Sequence, residues 1–147
     1  MKQICFMLGH HDAPELIYPS LYYAVASLAE SNPEIEFIIG SHGNFDHMAA
    51  RAVIEIKKKH PVQLTLLRPY HPSMHPSPLP RGFDGSLYPF DDQKIIYRLA
   101  IPKANRYMLD HCTHFIFYCR KQIGNTAKLV KHALKLEAEG KIKTIIL

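Results

Sequence analysis

Apolar and polar positions along the chain alternate between two periods. Short, near-continuous apolar runs occur at Gln3–Leu8, Ile35–Ile39, Val62–Leu67, Thr113–Tyr118 and Ile142–Leu147. Runs of that length bounded by turn residues predict buried strands. Helical spacing falls between them. Leu21, Ala24, Val25, Leu28 and Ala29 mark one face of a helix over Ser20–Glu30, with Ser20 as N-cap and Asn32-Pro33 as the break. Phe45, Met48, Ala49, Ala52, Val53 and Ile56 trace a second amphipathic stripe. Asn44 is its natural N-cap, and Asp46 lies in the first turn, where the helix dipole favours an acid. Leu129, Val130, Ala133, Leu134 and Leu136 predict a helix over Asn125–Glu139, stopped by Gly140. Asp91–His111 is helical in pattern, with a break or kink expected at Pro102.

Strands buried on both faces and alternating with helices argue for a parallel sheet covered on both sides. Right-handed crossovers then give an α/β fold: a Rossmann-like, doubly wound parallel sheet of about five strands in a three-layer sandwich. Residues 68–90 interrupt the alternation with six prolines, two glycines, His71 and His75. A loop of that length is usually functional or mobile. No internal repeat or linker is visible, so residues 1–147 are expected to form one domain.

Composition changes this picture little. Apolar residues at 47% and charged residues at 21% are ordinary for a globular chain. No apolar run reaches membrane-spanning length, and the N-terminus lacks the h-region and cleavage site of a signal peptide. Cys5, Cys112 and Cys119 are odd in number and have no CxxC spacing, which suits a reducing cytoplasm. The net charge of +5 is partly local, with lysines crowding the C-terminal quarter. Without an arginine-rich arm or interleaved aromatics, it suits a phosphate-bearing small molecule better than nucleic acid. Ten histidines raise the question of a metal.

Three strands end in glycine-bearing turns: GHHDAP from Gly9, GSHGNFD from Gly40 and CRKQIGNT from Cys119. In a doubly wound sheet the ligand crevice lies outside the carboxyl ends of the strands, where the winding reverses. After the second and third turns a helix starts at once, so free backbone N–H groups point toward that crevice. None of the turns carries the G-x-G-x-x-G or GxxxxGK[ST] spacing, which sets aside the usual dinucleotide and P-loop classes.

GSHGNFDHMAARAVIEIKKKHP resembles the second-strand turn and following helix of the SLOG superfamily, the Smf/DprA and LOG-like Rossmannoid proteins. KANRYMLDHCTHFIFYC and IGNTAKLVKHAL resemble two further segments of the same group, in the same order. The resemblance implies a nucleotide or nucleotide-derivative ligand and no bound cofactor. The residues it implies for binding are Gly9, His10, Gly40, Ser41, His42, Gly43, Asp46, Arg106, Gly124, Asn125 and Thr126, with Arg106 as a phosphate clamp. The LOG enzymes carry a glutamate three residues after the threonine of the last turn, where this chain has Leu129. A ligand sensor or binding module is therefore expected ahead of a phosphoribohydrolase-like nucleotide hydrolase, for which Asp46, Asp12 and Arg106 are the catalytic candidates.

Ser41 to His47 also looks like the T-H-x-H-x-D-H turn of metallo-β-lactamase-type hydrolases. That makes a metal-dependent hydrolase through His42, Asp46 and His47 the remaining alternative, with His10, His11 or Asp12 as further ligands across the crevice. His71 and His75 are expected as exposed loop residues, and His111 and His114 as capping or solvent-facing ones. A homo-oligomer is the general expectation for a chain of this kind.

Overall fold

A computed structural model describes residues 2–147. Its strands are β1 (Ile4–Gly9), β2 (Glu36–Ile39), β3 (Gln63–Leu67), β4 (Gly85–Leu87), β5 (His114–Tyr118) and β6 (Lys143–Ile146). Its α-helices are α1 (Tyr18–Ser31), α2 (Asn44–Lys57), α3 (Tyr97–His111) and α4 (Asn125–Ala138), with one 3-10 turn at Glu15–Ile17. The strands form one parallel sheet in the order β4-β3-β2-β1-β5-β6. The chain winds outward from β1 through β4, returns to the other side of β1 and continues through β6. The winding thus reverses between β1 and β5.

Strand pleating sorts the core into two layers. Cys5, Met7, Phe37, Ile39, Leu64 and Ile116 pack under α1 and α2. Phe6, Ile38, Phe115 and Phe117 face the opposite way, under α3 and α4. Phe115 stacks on both Phe6 and Phe117, at ring-centroid distances of 5.7 and 5.2 Å. The expected three-layer, Rossmann-like α/β architecture is therefore present, with six strands rather than about five.

The sixth strand comes from within the Pro/His-rich segment. Gly85-Ser86-Leu87 pairs with Thr65–Leu67, and the Arg68 amide donates to the Leu87 carbonyl at 2.8 Å. Asp84 pins its start: its carboxylate accepts the Leu64 amide and the Lys57 ammonium, both at 2.8 Å. Lys57 also donates to the Gly82 carbonyl at 2.8 Å, so one lysine at the end of α2 ties the segment to the body. A three-residue strand flanked by prolines carries no periodic signal, which is why the pattern reading passes over it.

Helix starts also shift. α1 begins at Tyr18 rather than after Ser20, because Pro19 occupies its first turn, where the fixed φ of proline is already helical. α3 begins at Tyr97 rather than Asp91. Residues 91–96 bury nothing fully, and the helix starts one turn before its first buried residue, Ala100. Pro102 sits inside α3 without ending it.

Asp84→Ala is expected to cost about 1–3 kcal/mol, since it removes the acceptor for a backbone amide and for Lys57. Trypsin should then cut faster at exposed Arg81 and Lys94 than in the parent. Unchanged cleavage kinetics would show that the strap is held by other contacts.

Candidate functional site

The β1 and β2 turns are built against each other. Gly43 caps α2 with φ +103°, a conformation that L side chains rarely adopt. A Cβ there would lie 2.5 Å from the His11 Cα, against backbone that has nowhere to move. The adjacent Asn44 amide donates to the His11 carbonyl at 2.7 Å, and its side chain donates to the Ala13 carbonyl at 3.4 Å. The expected N-cap role of Asn44 is thus replaced: Gly43 takes the cap position, and Asn44 stitches the two turns. Gly9 makes the second close approach, since a Cβ on it would come within 2.4 Å of the Phe45 ring.

This docking carries Asp46 to the carboxyl edge of the sheet. Its carboxylate accepts the His42 amide at 2.9 Å, and the side chain is buried beside Gly40. Burial pushes its pKa up to about 6, against the opposing pull of the His42 amide. His10 is also buried, at the end of β1. Its Nε2 accepts the Arg120 amide at 3.0 Å, so the neutral ring carries its proton on Nδ1. Burial, then the nearby Lys121 ammonium, hold its pKa below the usual histidine value. The carboxyl and the imidazole, which line the same cavity, are therefore both biased toward their neutral forms.

A cavity of about 330 Å³ opens where the winding reverses. Its floor is apolar, with Met7, Leu8, Leu67 and Leu129 among its residues. Around the floor stand Gly9 and His10 from β1, Gly40, His42 and Asp46 from the β2 turn, and Gly124, Asn125 and Thr126 at the start of α4. Gly124 has φ +102° and nothing within 4 Å of a hypothetical Cβ, so the α4 cap is open, in contrast to Gly43.

Not every residue expected at the site lies on this cavity. Gly43 stands behind it as the docking point, and Ser41 lines an adjoining pocket. Arg106 is exposed on α3, 3.6 Å from the Asp110 carboxylate, and lines no part of the cavity. Its neighbour Asn105 does so instead, one helical turn after Ile101, which also lines it. A step of one residue turns a helical side chain about 100°, so the clamp expected at Arg106 lies on the wrong face of the right helix. Lys121, His11 and Ile123 also line the cavity. Lys121 is the cation that sequence reasoning did not assign, although it lies in the CRKQIGNT turn already singled out.

His42, Asp46 and His47 do not come together as a metal site. His42 and His47 are exposed, and no group of three or more His, Cys, Asp or Glu side chains converges among the described residues. His111 is exposed and bonds the Tyr107 carbonyl at the end of α3. His114, expected to cap or face solvent, is instead buried at the start of β5 beside the Thr113 hydroxyl.

No protein-family model matches the chain, and no curated protein sequence matches it. Solved structures do share the fold. DNA processing protein A from Helicobacter pylori, described for its single-stranded DNA binding mode, has a TM-score of 0.61 at 12% identity over 97% of this chain and 75% of its own. The structural-genomics target TM1055 has a TM-score of 0.57 at 8% identity, covering 91% of this chain and 69% of its own. The molybdenum cofactor carrier protein from Chlamydomonas reinhardtii has a TM-score of 0.49 at 10% identity, covering 98% and 89%. At these identities the likeness to the first two is one of fold.

Two expected outcomes follow from the site geometry. Gly43→Ala should cost on the order of 2–4 kcal/mol in urea unfolding, from strain and a backbone clash together, whereas Gly124→Ala, with equal φ but open space, should cost about 1–2 kcal/mol. Equal costs would mean that the turn docking contributes nothing. The folded chain holds the Asp46 proton up to about pH 6, and an unfolded aspartate releases it near 4. Stability relative to Asp46→Asn should therefore fall as pH rises from about 4 to about 6, by on the order of 2–3 kcal/mol. Taking the difference from the variant cancels the opposite trend of His10, whose lowered pKa costs stability as pH falls below about 6.5.

Proposed function

We propose that this chain binds a nucleotide or nucleotide derivative in the switch-point cavity, as a ligand sensor or binding module of the SLOG type with weak or no catalysis. The cavity itself carries the proposal. It lies where doubly wound sheets bind ligands, its volume of about 330 Å³ suits a small molecule, and its rim combines the open start of α4 with the Lys121 ammonium. An apolar floor under a polar, cationic rim matches a ligand with a flat, poorly hydrated part and an anionic part. Leu129 lines the cavity at the position where the LOG enzymes have a glutamate, which favours binding over glycosidic cleavage.

One observation favours a second reading, a nucleotide hydrolase acting on an N-glycosidic or phosphate bond. The Asp46 carboxyl lines the cavity with its pKa raised to about 6, in the range where a carboxyl exchanges protons at neutral pH. A phosphate-bearing small molecule is the partner in both readings, and a cytoplasmic homo-oligomer is the setting proposed for both. Cys5, Cys112 and Cys119 are free thiols, and no helix of the described residues is long and apolar enough to cross a membrane.

The test is thermal unfolding with a panel of nucleoside monophosphates, cyclic dinucleotides and ADP-ribose compounds, with a single-stranded oligonucleotide as the polymer control. A ligand at about a hundred times its Kd adds about 2.7 kcal/mol, or on the order of 5–10 °C in Tm for a chain of this size. No shift across the panel at millimolar ligand would overturn the binding proposal. Chromatography of the same mixtures decides the second reading, which requires released base or phosphate that disappears with Asp46→Asn.

A further inference from the structure

A second pocket of about 370 Å³ adjoins the switch-point cavity and shares His42, Leu67, Pro69 and Ile101 with it. It is walled by the segment that follows β3. Tyr70 and Tyr97 stack with their rings 4.7 Å apart and 10° from parallel, and His75 lies 4.6 Å from Tyr70 and 5.5 Å from Tyr97. All three rings line the pocket. Arg68 lines it too, and its guanidinium donates to the Ser77 hydroxyl and carbonyl at 2.6 and 3.1 Å. It meets no carboxylate among the described residues.

The ring cluster is not accounted for as an anchor for the segment. Asp84, Lys57 and the β3–β4 ladder already hold one end, and the Arg68–Ser77 bonds hold the other. A cluster made only to pack would be buried, yet Tyr97 is 59% exposed and His75 is exposed as well. What the arrangement provides is a stacked Tyr70–Tyr97 pair with the tilted His75 ring beside it, partly open to solvent, on a pocket with a guanidinium on its wall.

We infer that this pocket is a base-stacking subsite, in which the planar heteroaromatic ring of a nucleoside phosphate lies against Tyr97, Tyr70 and His75 while its phosphate-bearing end reaches into the switch-point cavity. The inference rests on the nucleotide reading above and assigns the base to a specific place. Stacking on aromatic side chains tolerates any base, because every base has a π-face. The site therefore recognises that a base is present more strongly than which base it is. The sugar crosses the shared wall of Leu67, Pro69 and Ile101, so a nucleoside monophosphate spans both pockets and a sugar phosphate fills only the switch-point cavity.

Calorimetric titration with ribose 5-phosphate, AMP, GMP and ADP-ribose tests this on the parent chain, Tyr97→Ala, Tyr97→Phe and Lys121→Ala. Tyr97 is exposed at the first position of α3, so both substitutions leave the core untouched. The base-bearing ligands should bind the parent more tightly than ribose 5-phosphate. Tyr97→Ala should weaken them by about 5- to 100-fold, the range that one stacked base contributes, and leave ribose 5-phosphate unchanged. Tyr97→Phe should retain parental affinity. If Tyr97→Ala binds AMP, GMP and ADP-ribose within about twofold of the parent while Lys121→Ala weakens them, the stacking subsite is overturned and the nucleotide site stands. If none of the four ligands binds the parent, the nucleotide reading fails and the subsite fails with it.

Discussion

The crevice depends on how closely two turns pack. Where the β1 and β2 turns meet, Gly43 presents a hydrogen atom to the His11 backbone, and the next amide in the chain, that of Asn44, bonds the His11 carbonyl. A side chain at position 43 would push α2 away from β1 and open that bond. Gly9 repeats the constraint one turn along, where the Phe45 ring fills the space a Cβ would need. These contacts fix the start of α2 relative to the end of β1. Asp46, in the first turn of α2, and His10, just after β1, are thereby brought to the same cavity. The glycines act here as spacers that set distances in the site, more than as turn formers.

The electrostatics follow from that packing. A carboxyl near the N-terminus of a helix would ordinarily be held in its charged form by the dipole and by backbone amides. Asp46 accepts one such amide, but it is buried deeply enough for desolvation to win. His10 is subject to the same burial penalty, which for a base acts in the opposite direction on the pKa, and the Arg120 amide bonds its neutral ring. The cavity thus holds a carboxyl that takes up a proton near pH 6, a histidine biased to its neutral form, and the Lys121 ammonium at the rim. The charge of an anionic ligand would add to the tendency of Asp46 to take up its proton, so binding of such a ligand favours pH near or below 6.

Much of this was legible in the chain, for reasons that can be named. Parallel strands buried on both faces leave dense apolar runs, as β1, β2, β3 and β5 show, whereas β6, expected to be buried from the same kind of run, lies at the sheet edge with Ile146 66% exposed. The glycine turns at Gly9, Gly40 and Gly124 mark strand ends because glycine is needed there for space or φ. What escaped has physical causes of its own. β4 is held by Asp84 and Lys57, two charged residues that local pattern treats as surface. The choice between Asn105 and Arg106 turns on helix rotation, which propensity does not encode. The Asn44 side chain has the chemistry of an N-cap, and only the tertiary neighbour at Ala13 diverts it. Ser41-His42-Gly43-Asn44-Phe45-Asp46-His47 reads as a ligand string along the sequence, but a helix starts within it and carries His47 out to solvent while Asp46 turns inward.

Whether such a cavity does chemistry depends on what stands opposite Asp46. General acid or base work needs a proton-exchanging group within reach of the reacting atom and a second group that stabilises the charge developing on the other side. Asp46 meets the first requirement by its pKa. For the second, the lining offers Asn105, Thr126 and the start of α4, with Leu129 one helical turn after Thr126. A leucine holds out water and stabilises no charge, so an oxocarbenium-like transition state here would have no second carboxylate to stabilise it, and a phosphoryl one would have Lys121 and backbone amides. Binding makes no such demand. A carboxyl that protonates near pH 6, a His10 biased to its neutral form and an apolar floor suit a ligand held intact, and they make its affinity depend on pH through the Asp46 proton. That arrangement supports the proposed binding of a small anionic molecule more directly than its cleavage.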